Sequence, residues 1–290
     1  MMQEIRENVW FVEGKNRGKY PYSHSLYLTG ENNVIIDTGA GSFFDKLSTA
    51  TERVVLSHYH RDHVTYNYMF ENAHFYMHRE DAPGVESEDG FYRLSGLDQV
   101  EVETYWKMVK QQAFSATKID WHLEEGLCLD TGEVNIKVLH LPGHTPGHCG
   151  FLVEECGLIF TTDIDLTRFG PWYGNPCSDL EQFRRSIERV RALKPEIVIT
   201  GHRRPITKNI EQTIDRYKTV IDRRDEAIIT ALQKHPLTLE QLTDKNIFYP
   251  DHYNQAVLRF FEKNMMQKHL ESLLKRGMAI KMENDFYEAL

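Results

Sequence analysis

A group of histidines and one aspartate follows the apolar run at residues 54–56 and has the composition of a metal site. His58, His60, Asp62 and His63 place four potential ligands within six residues. Imidazole and carboxylate ligands suit zinc, iron or manganese, and no thiolate is needed. In an extended segment His58 and His60 point the same way, because side chains alternate along a strand. A turn at Asp62 and His63 can present both to a second ion, so one loop can serve two metal positions.

Three more potential ligands follow apolar segments farther along the chain. His144 lies in a loop rich in glycine and proline, Asp163 follows the apolar run at 158–160, and His202 follows the run at 197–199. A single H-x-H pair would be explained as a histidine-rich surface loop. Several strands that each deliver a histidine or an aspartate just past their ends instead indicate one common site, because functional residues concentrate on loops that a rigid scaffold positions.

The order of these motifs resembles that of the metallo-β-lactamase fold superfamily over about residues 1–206. The shared features are an early strand ending in Asp37-Thr38-Gly39, the H-x-H-x-D-H string, a later histidine, an aspartate and a final Gly-His. The resemblance implies an α/β fold, a four-layer αββα sandwich. It also implies a domain boundary, with the catalytic domain at 1–206 and a small, mainly helical C-terminal domain at 207–290.

The resemblance assigns a role to each candidate ligand. The implied ligands are His58, His60 and His144 for the first ion, Asp62, His63 and His202 for the second, and Asp163 as the bridge between them. Asp165 is an alternative bridge. Asp37 would support the site without necessarily touching metal. The implied cofactors are two zinc ions, with iron or manganese as alternatives.

These ligands predict a hydrolase. A divalent ion lowers the pKa of bound water to ~7, so hydroxide is available at neutral pH. Asp163 would hold two ions together and Asp62 would orient the nucleophile, which makes these two the expected catalytic carboxylates. Among the activities that the resemblance implies, the expected substrate is a small ester, thioester or lactone. A phosphodiesterase and a mononuclear iron sulfur dioxygenase are the alternatives, because the fold alone does not choose between them. A binding protein without activity is disfavoured, since buried histidines and aspartates without a metal are costly.

The segment after Asp163 is the best indication of where a substrate binds. It contains Phe169, Trp172 and Tyr173, which can form an apolar wall. Tyr173 can also donate a hydrogen bond to a developing oxyanion. The alternative is that these aromatic rings pack beneath the loop. His148 is either a support for a neighbouring ligand or a histidine of the surface loop.

Length and composition agree with an intracellular enzyme of two domains. The 290 residues exceed one average domain, and a hydrophobic content of 41% is ample for a core. A net charge of −9 disfavours nucleic acid and anionic membranes as partners. We find neither an apolar run of the ~20 residues that span a bilayer nor the apolar region of a secretory signal. The four cysteines lack the spacing of a disulfide framework. We therefore expect a cytoplasmic protein that acts on a small molecule, with homodimerisation left open.

Short β-type runs separated by turn residues predict strands at 9–12, 25–28, 34–36, 54–56 and 74–77, and strand character returns between 134 and 202. Ser178 is predicted to cap a helix with Glu181 at its N3 position, and Phe183 and Ile187 belong to the apolar stripe of that helix. An insertion between the ligand-bearing loops carries a helical pattern at 99–115. That insertion either caps the site or packs against the edge of the sheet.

The composition changes after Pro205. Residues 207–290 contain 13 basic and 13 acidic residues, so this part of the chain is neutral. The predicted helices lie at 210–228, 238–244, 253–262 and 265–276, with Gly277 ending the last and a hairpin following. This order resembles the winged-helix tail of some members of the superfamily. The neutral charge disfavours DNA binding, so we expect a role in dimerisation or as a wall of the substrate pocket.

Overall fold

The fold is taken from a computed structural model that describes residues 2–42, 44–97, 114–250 and 256–290. The helical pattern predicted at 99–115 lies outside the described residues except for its last two positions. The first three residues of the pattern predicted at 253–262 also lie outside them.

Three β-sheets are present among the described residues. The first sheet contains, in spatial order, β1 (Met2–Arg6), β2 (Val9–Val12), β3 (Ser25–Leu28), β4 (Val34–Ile36), β5 (Arg53–Leu56), β6 (His74–His78) and β7 (Trp121–Leu123). The second sheet contains β8 (Cys128–Asp130), β9 (Asn135–His140), β10 (Cys149–Val153), β11 (Leu158–Phe160) and β12 (Ile197–Ile199), again as neighbours in that order. The third contains β13 (Leu237–Thr238), β14 (Ala279–Lys281) and β15 (Phe286–Ala289), with β15 in the middle. Pairing is parallel from β4 to β7 and between β11 and β12, and antiparallel elsewhere.

Helices connect and cover these strands. The described α-helices are α1 (Asp45–Ser48), α2 (Arg61–Val64), α3 (Pro83–Glu86), α4 (Glu88–Ser95), α5 (Leu180–Ala192), α6 (Ile210–Leu232), α7 (Leu239–Thr243) and α8 (Ala256–Lys275). The long helices α5, α6 and α8 share one apolar core with the outer face of the second sheet.

Alternation along the strands creates separate cores on the two faces of each sheet. In β11, Leu158 and Phe160 lie in the core between the two large sheets, whereas Ile159 packs against the helices outside. In β4, Ile36 lies in the same central core, and Ile35 packs under the helices that cover the first sheet. This period of two is what a strand buried on both faces requires. The four layers are therefore helices, sheet, sheet and helices, and the predicted αββα sandwich is confirmed.

Helix α5 begins one residue later than predicted. Asp179, not Ser178, is the N-cap, and its carboxylate accepts the backbone N–H of Gln182 at 2.8 Å. The hydroxyl of Ser178 instead donates to the backbone carbonyl of His144 at 2.8 Å. The predicted capping box is therefore wrong, because the serine hydroxyl is used to hold the loop that carries His144.

The C-terminal part contains helices followed by a hairpin, as predicted. The helices predicted at 253–262 and 265–276 are wrong as separate elements, because α8 runs without a break through both. The helix continues through Asn264, a polar residue in its middle. The amide of this residue donates to the carbonyl of Gly174 at 2.8 Å. Ile214 and Tyr217 of α6 share one apolar core with Phe183 of α5.

Among the described residues, no helix is both long and apolar enough to cross a bilayer.

Replacing Asp179 with alanine is expected to lower the free energy of unfolding by about 1 kcal/mol, because the N-terminal turn of α5 loses its acceptor. Urea unfolding followed by circular dichroism measures this change. Asp179→Asn keeps a capping oxygen and is the matched control, for which we expect almost no loss. Equal stability of the alanine and asparagine variants would contradict the assignment of the cap.

Candidate metal centre

The candidate ligands lie where strands of the two large sheets end. His58 and His60 follow β5, and the backbone at His60 is still extended, with φ −64° and ψ 141°. Helix α2 begins at the next residue and carries Asp62 and His63 in its single turn. The other ligands come from the second sheet: the β9–β10 loop carries His144, and Asp163 and His202 follow β11 and β12.

His58, His60 and His144 form the first cluster together with Asp163. Nε2 of His144 lies 2.9 Å from Nδ1 of His60 and 3.2 Å from Oδ2 of Asp163. Nε2 of His58 lies 3.8 Å from the same carboxylate oxygen. The four ligand atoms lie within 4.8 Å of one another, a spacing suited to one shared ion.

Asp62, His63 and His202 form the second cluster, with ligand atoms also within 4.8 Å of one another. Oδ2 of Asp62 lies 3.3 Å from Nε2 of His202 and 3.8 Å from Nε2 of His63. Oδ1 of Asp163 lies 2.9 Å from Nε2 of His63 and 3.4 Å from Nε2 of His202. The two oxygens of Asp163 therefore face different clusters.

Three of the histidines are oriented by a contact to the ring nitrogen that faces away from the site. Nδ1 of His63 lies 2.6 Å from Oδ2 of Asp37, Nδ1 of His144 lies 2.8 Å from the Trp172 carbonyl, and Nδ1 of His202 lies 2.6 Å from the Gly18 carbonyl. Such contacts fix the tautomer and leave Nε2 as the ligand atom.

Asp37 connects both clusters to the end of β5. Its carboxylate accepts the backbone N–H and the hydroxyl of Ser57, both at 2.8 Å, as well as its contact with His63. The Ser57 hydroxyl lies 2.9 Å from Nδ1 of His58. One buried carboxylate thus orients a histidine in each cluster. Asp37 has a φ of +61°, a left-handed conformation that aspartate tolerates better than most residues.

His148 is fully buried, so the surface-loop interpretation is wrong. Burial lowers the pKa of His148 to about 3, which keeps the ring neutral. Its Nδ1 donates to the Leu141 carbonyl at 2.9 Å, and its Nε2 accepts the hydroxyl of Thr162 at 2.7 Å. Thr162 has a φ of +46°, which is strained for a β-branched residue. The hydrogen bonds of His148 therefore hold the strained turn that presents Asp163.

The predicted role of Tyr173 as an oxyanion donor is wrong. Its ring is fully buried, and its hydroxyl lies 2.6 Å from Nε2 of His269 and 3.0 Å from Nη1 of Arg224, on the C-terminal side of the loop. Trp172 remains partly exposed beside the site, with its ring centroid 5.5 Å from that of His60. Asp165, the alternative bridge, accepts the backbone N–H of Thr167 and belongs to neither cluster.

Sequence reasoning missed several groups that support the ligands. Ser57 could have been found, because it directly precedes the histidine string. The Asn175 amide lies 2.6 Å from Nε2 of His60, and nothing in the sequence around Asn175 indicates this contact. The contacts of the Gly18 and Trp172 carbonyls could not be predicted from residue types either, since every residue type supplies a carbonyl.

The first cluster has the properties of an imidazole site prepared for metal. Burial lowers the pKa of His58 and of His60 well below the usual range, so both rings are neutral at pH 7. Nε2 of His58 is buried without a hydrogen-bond partner among the described residues. A buried polar atom without a partner is unfavourable, and an ion at this position would provide one. The residues present therefore fit a divalent metal.

The second cluster is charged when no metal is bound. Burial alone would lower the pKa of His63, but the carboxylates of Asp163, Asp37 and Asp62 outweigh burial and raise it to about 10. The pKa of His202 is also raised well above its ordinary value, because Asp163 and Asp62 outweigh the effect of burial. Protons thus occupy the position that a second ion would take.

The sequence family described as the metallo-beta-lactamase superfamily matches residues 20–202, a span that contains all seven candidate ligands. The chain belongs to the metallo-beta-lactamase superfamily. A metallo-beta-lactamase family protein from Thermus thermophilus has the same fold, with a TM-score of 0.79 and 22% identity. That likeness covers 99% of this chain and 100% of the other, and therefore includes the C-terminal helices.

Two curated relatives are hydrolytic enzymes. Hydroxyacylglutathione hydrolase GloC of Haemophilus influenzae is 30% identical over 146 residues, which cover 46% of this chain and 61% of that protein. Thioesterase pkgB of Emericella nidulans is 27% identical over 219 residues, which cover 72% of this chain and 54% of that protein. This member of the superfamily is accordingly an enzyme, a metallo-hydrolase.

Binding of a second metal equivalent is expected to release protons. His63 and His202 have raised pKa values and are protonated at pH 7 in the metal-free protein, so an ion must displace a proton from each. Affinity for the second equivalent should therefore rise as the pH rises toward 10, whereas affinity for the first should change little. Calorimetric titrations with zinc in buffers of different ionisation heat measure the released protons. A second binding step without proton release would contradict this assignment.

Asp37→Asn is expected to weaken metal binding by about 10–100-fold, because the amide cannot hold His63 and Ser57 as the carboxylate does. Competition with a chromogenic chelator measures the affinity. Asp130→Asn, at an exposed position on β8, is the control and should bind as the parent protein does. An unchanged affinity in Asp37→Asn would show that the contact with Asp37 is not needed.

Proposed function

We propose that this protein hydrolyses a small thioester, or a related ester or lactone, with water activated between two divalent ions. One observation carries the proposal: Oδ2 of Asp163 faces His144 of the first cluster at 3.2 Å, and Oδ1 faces His63 of the second at 2.9 Å. A carboxylate shared in this way suits a two-ion site. Zinc is the proposed metal because imidazole nitrogen and carboxylate oxygen are among its usual ligands.

The bound ions would supply a nucleophile by lowering the pKa of water to ~7. The protein's own part is to hold two carboxylates ionised at that position. Burial raises the pKa of Asp163, but His63 and His202 outweigh burial, so the pKa lies well below its usual range. The pKa of Asp62 is lowered by the same two histidines against the effect of burial. Both carboxylates are therefore already ionised in the metal-free protein and ready to receive an ion, and in the loaded site Asp62 would be the hydrogen-bond acceptor that orients the attacking water.

Trp172 provides an apolar surface next to this centre. Its partly exposed ring lies 5.5 Å from the ring of His60 and 5.6 Å from that of His144. An aromatic wall suits the acyl portion of a substrate better than a charged phosphodiester. The names of the two curated relatives support the same class, because hydroxyacylglutathione is itself a thioester.

Replacing Asp163 with alanine is expected to abolish thioester hydrolysis, because neither cluster keeps its shared carboxylate. His202→Ala should also remove turnover while the fold is retained. The control is His235→Ala, at an exposed position far from both clusters in sequence, which should keep the parent rate. Release of free thiol from a panel of thioesters measures turnover.

Parallel assays distinguish the competing functions. The same protein is offered lactones, a phosphodiester, and a persulfide with an oxygen electrode. Thioester hydrolysis that Asp163→Ala eliminates supports the proposal. Turnover of the phosphodiester alone, or oxygen consumption by a protein that carries a single iron, overturns it.

A further inference from the structure

The segment at residues 169–175 lies between the metal centre and the C-terminal helices. On the side of the metal centre it contacts two of the three histidines of the first cluster. The Trp172 carbonyl lies 2.8 Å from Nδ1 of His144, and the Asn175 amide lies 2.6 Å from Nε2 of His60. The position of this segment therefore sets the orientation of both rings.

Residues of the C-terminal part hold the other side of the segment. Arg224 of α6 donates to the carbonyl of Phe169 at 2.8 Å and to that of Pro171 at 2.6 Å. The indole of Trp172 donates to the hydroxyl of Tyr249 at 2.7 Å. Together with the bond from Asn264 to the Gly174 carbonyl, these contacts fix almost every residue of the segment.

Arg224 has the features of a positioning residue. It is 6% exposed, and its described hydrogen bonds go to two main-chain carbonyls and one tyrosine hydroxyl. Its guanidinium carbon also lies 5.0 Å from the ring centroid of Phe169, 5.5 Å from that of Tyr173 and 5.2 Å from that of Phe248. A planar guanidinium with several fixed donors can make these contacts together, and a lysine ammonium cannot.

A directed chain of hydrogen bonds holds this arrangement in place. Arg224 donates to the Tyr173 hydroxyl at 3.0 Å, which in turn donates to Nε2 of His269 at 2.6 Å. Nδ1 of His269 donates to Asp225 at 2.5 Å. Burial lowers the pKa of His269 and keeps the ring neutral, with one nitrogen as donor and the other as acceptor. The buried Tyr173 therefore belongs to the support of the segment.

We propose that Arg224 is a positioning residue for the first metal cluster, which it orients through segment 169–175 and the contacts of that segment with His144 and His60. The C-terminal helices are then part of the support of the metal centre. This inference rests on the proposed function only in that the first cluster binds a metal. It does not depend on which substrate is hydrolysed.

The test measures zinc affinity by chelator competition in a His202→Ala background, where the first cluster is intact. Adding Arg224→Met should weaken zinc binding by about 10–100-fold, as loss of a contact that orients a ligand does. Arg224→Lys should recover part of the affinity. The control is Arg191→Met, which removes ion pairs that join α5 to Glu211 and Asp215 of α6 without touching the segment. This control should bind zinc as the background does.

The same Arg224→Met change is made in a His144→Ala background, where the first cluster has lost one ligand together with its contact to the Trp172 carbonyl. Zinc binding there depends on the second cluster and should not change. An equal loss in both backgrounds would show a general structural effect, and no loss in either would remove the positioning role. If Arg224→Met does not fold, Tyr249→Phe provides the same comparison through Trp172, with a smaller expected loss. A protein that binds zinc in this way but hydrolyses no thioester would overturn only the proposed function.

Discussion

The structure depends on the placement of one carboxylate, Asp163, among five imidazoles in a largely buried site. Carboxylates and imidazoles buried this closely require cations between them, either protons or metal ions. The raised pKa values of His63 and His202 indicate that protons are the cations of the second cluster when no metal is bound. The neutral rings of His58 and His60 indicate that a metal ion can bind to the first cluster directly. The capacity of this site to bind metal ions therefore follows from the need to balance the buried carboxylate charge with cations.

The two large sheets make this placement possible because they are rigid and their strand ends converge. The strained backbone at Thr162 persists because His148 and the neighbouring strand hold it. Asp37 joins the two clusters through Ser57 and His63. The C-terminal helices support the same centre through the loop that contains Trp172, because Arg224 and Asn264 donate hydrogen bonds to the carbonyls of that loop.

The residues that converge were predictable from the sequence, because apolar strands precede the candidate ligands, and the αββα sandwich was implied by the resemblance of the motif order to the superfamily. The sequence was not sufficient where a side chain had two partners available. Ser178 could cap α5 or hold the His144 loop, and Tyr173 could face the site or the helices; only tertiary packing decides such cases. Asn264 in the middle of α8 likewise has its partner in Gly174, a residue distant in sequence, so the residue types around it did not indicate this contact. The use of a main-chain acceptor such as the Gly18 carbonyl cannot be predicted from residue types, because every residue has a carbonyl.

The most direct test of the account is anomalous diffraction at the zinc edge from crystals of protein loaded with zinc. The account predicts two peaks about 3.5–4 Å apart, the usual separation in a two-metal site, one on each side of the Asp163 carboxylate. One peak should lie among His58, His60 and His144, and the other among Asp62, His63 and His202. A single peak at full loading, or a second peak outside these residues, would contradict a shared carboxylate as the basis of the site.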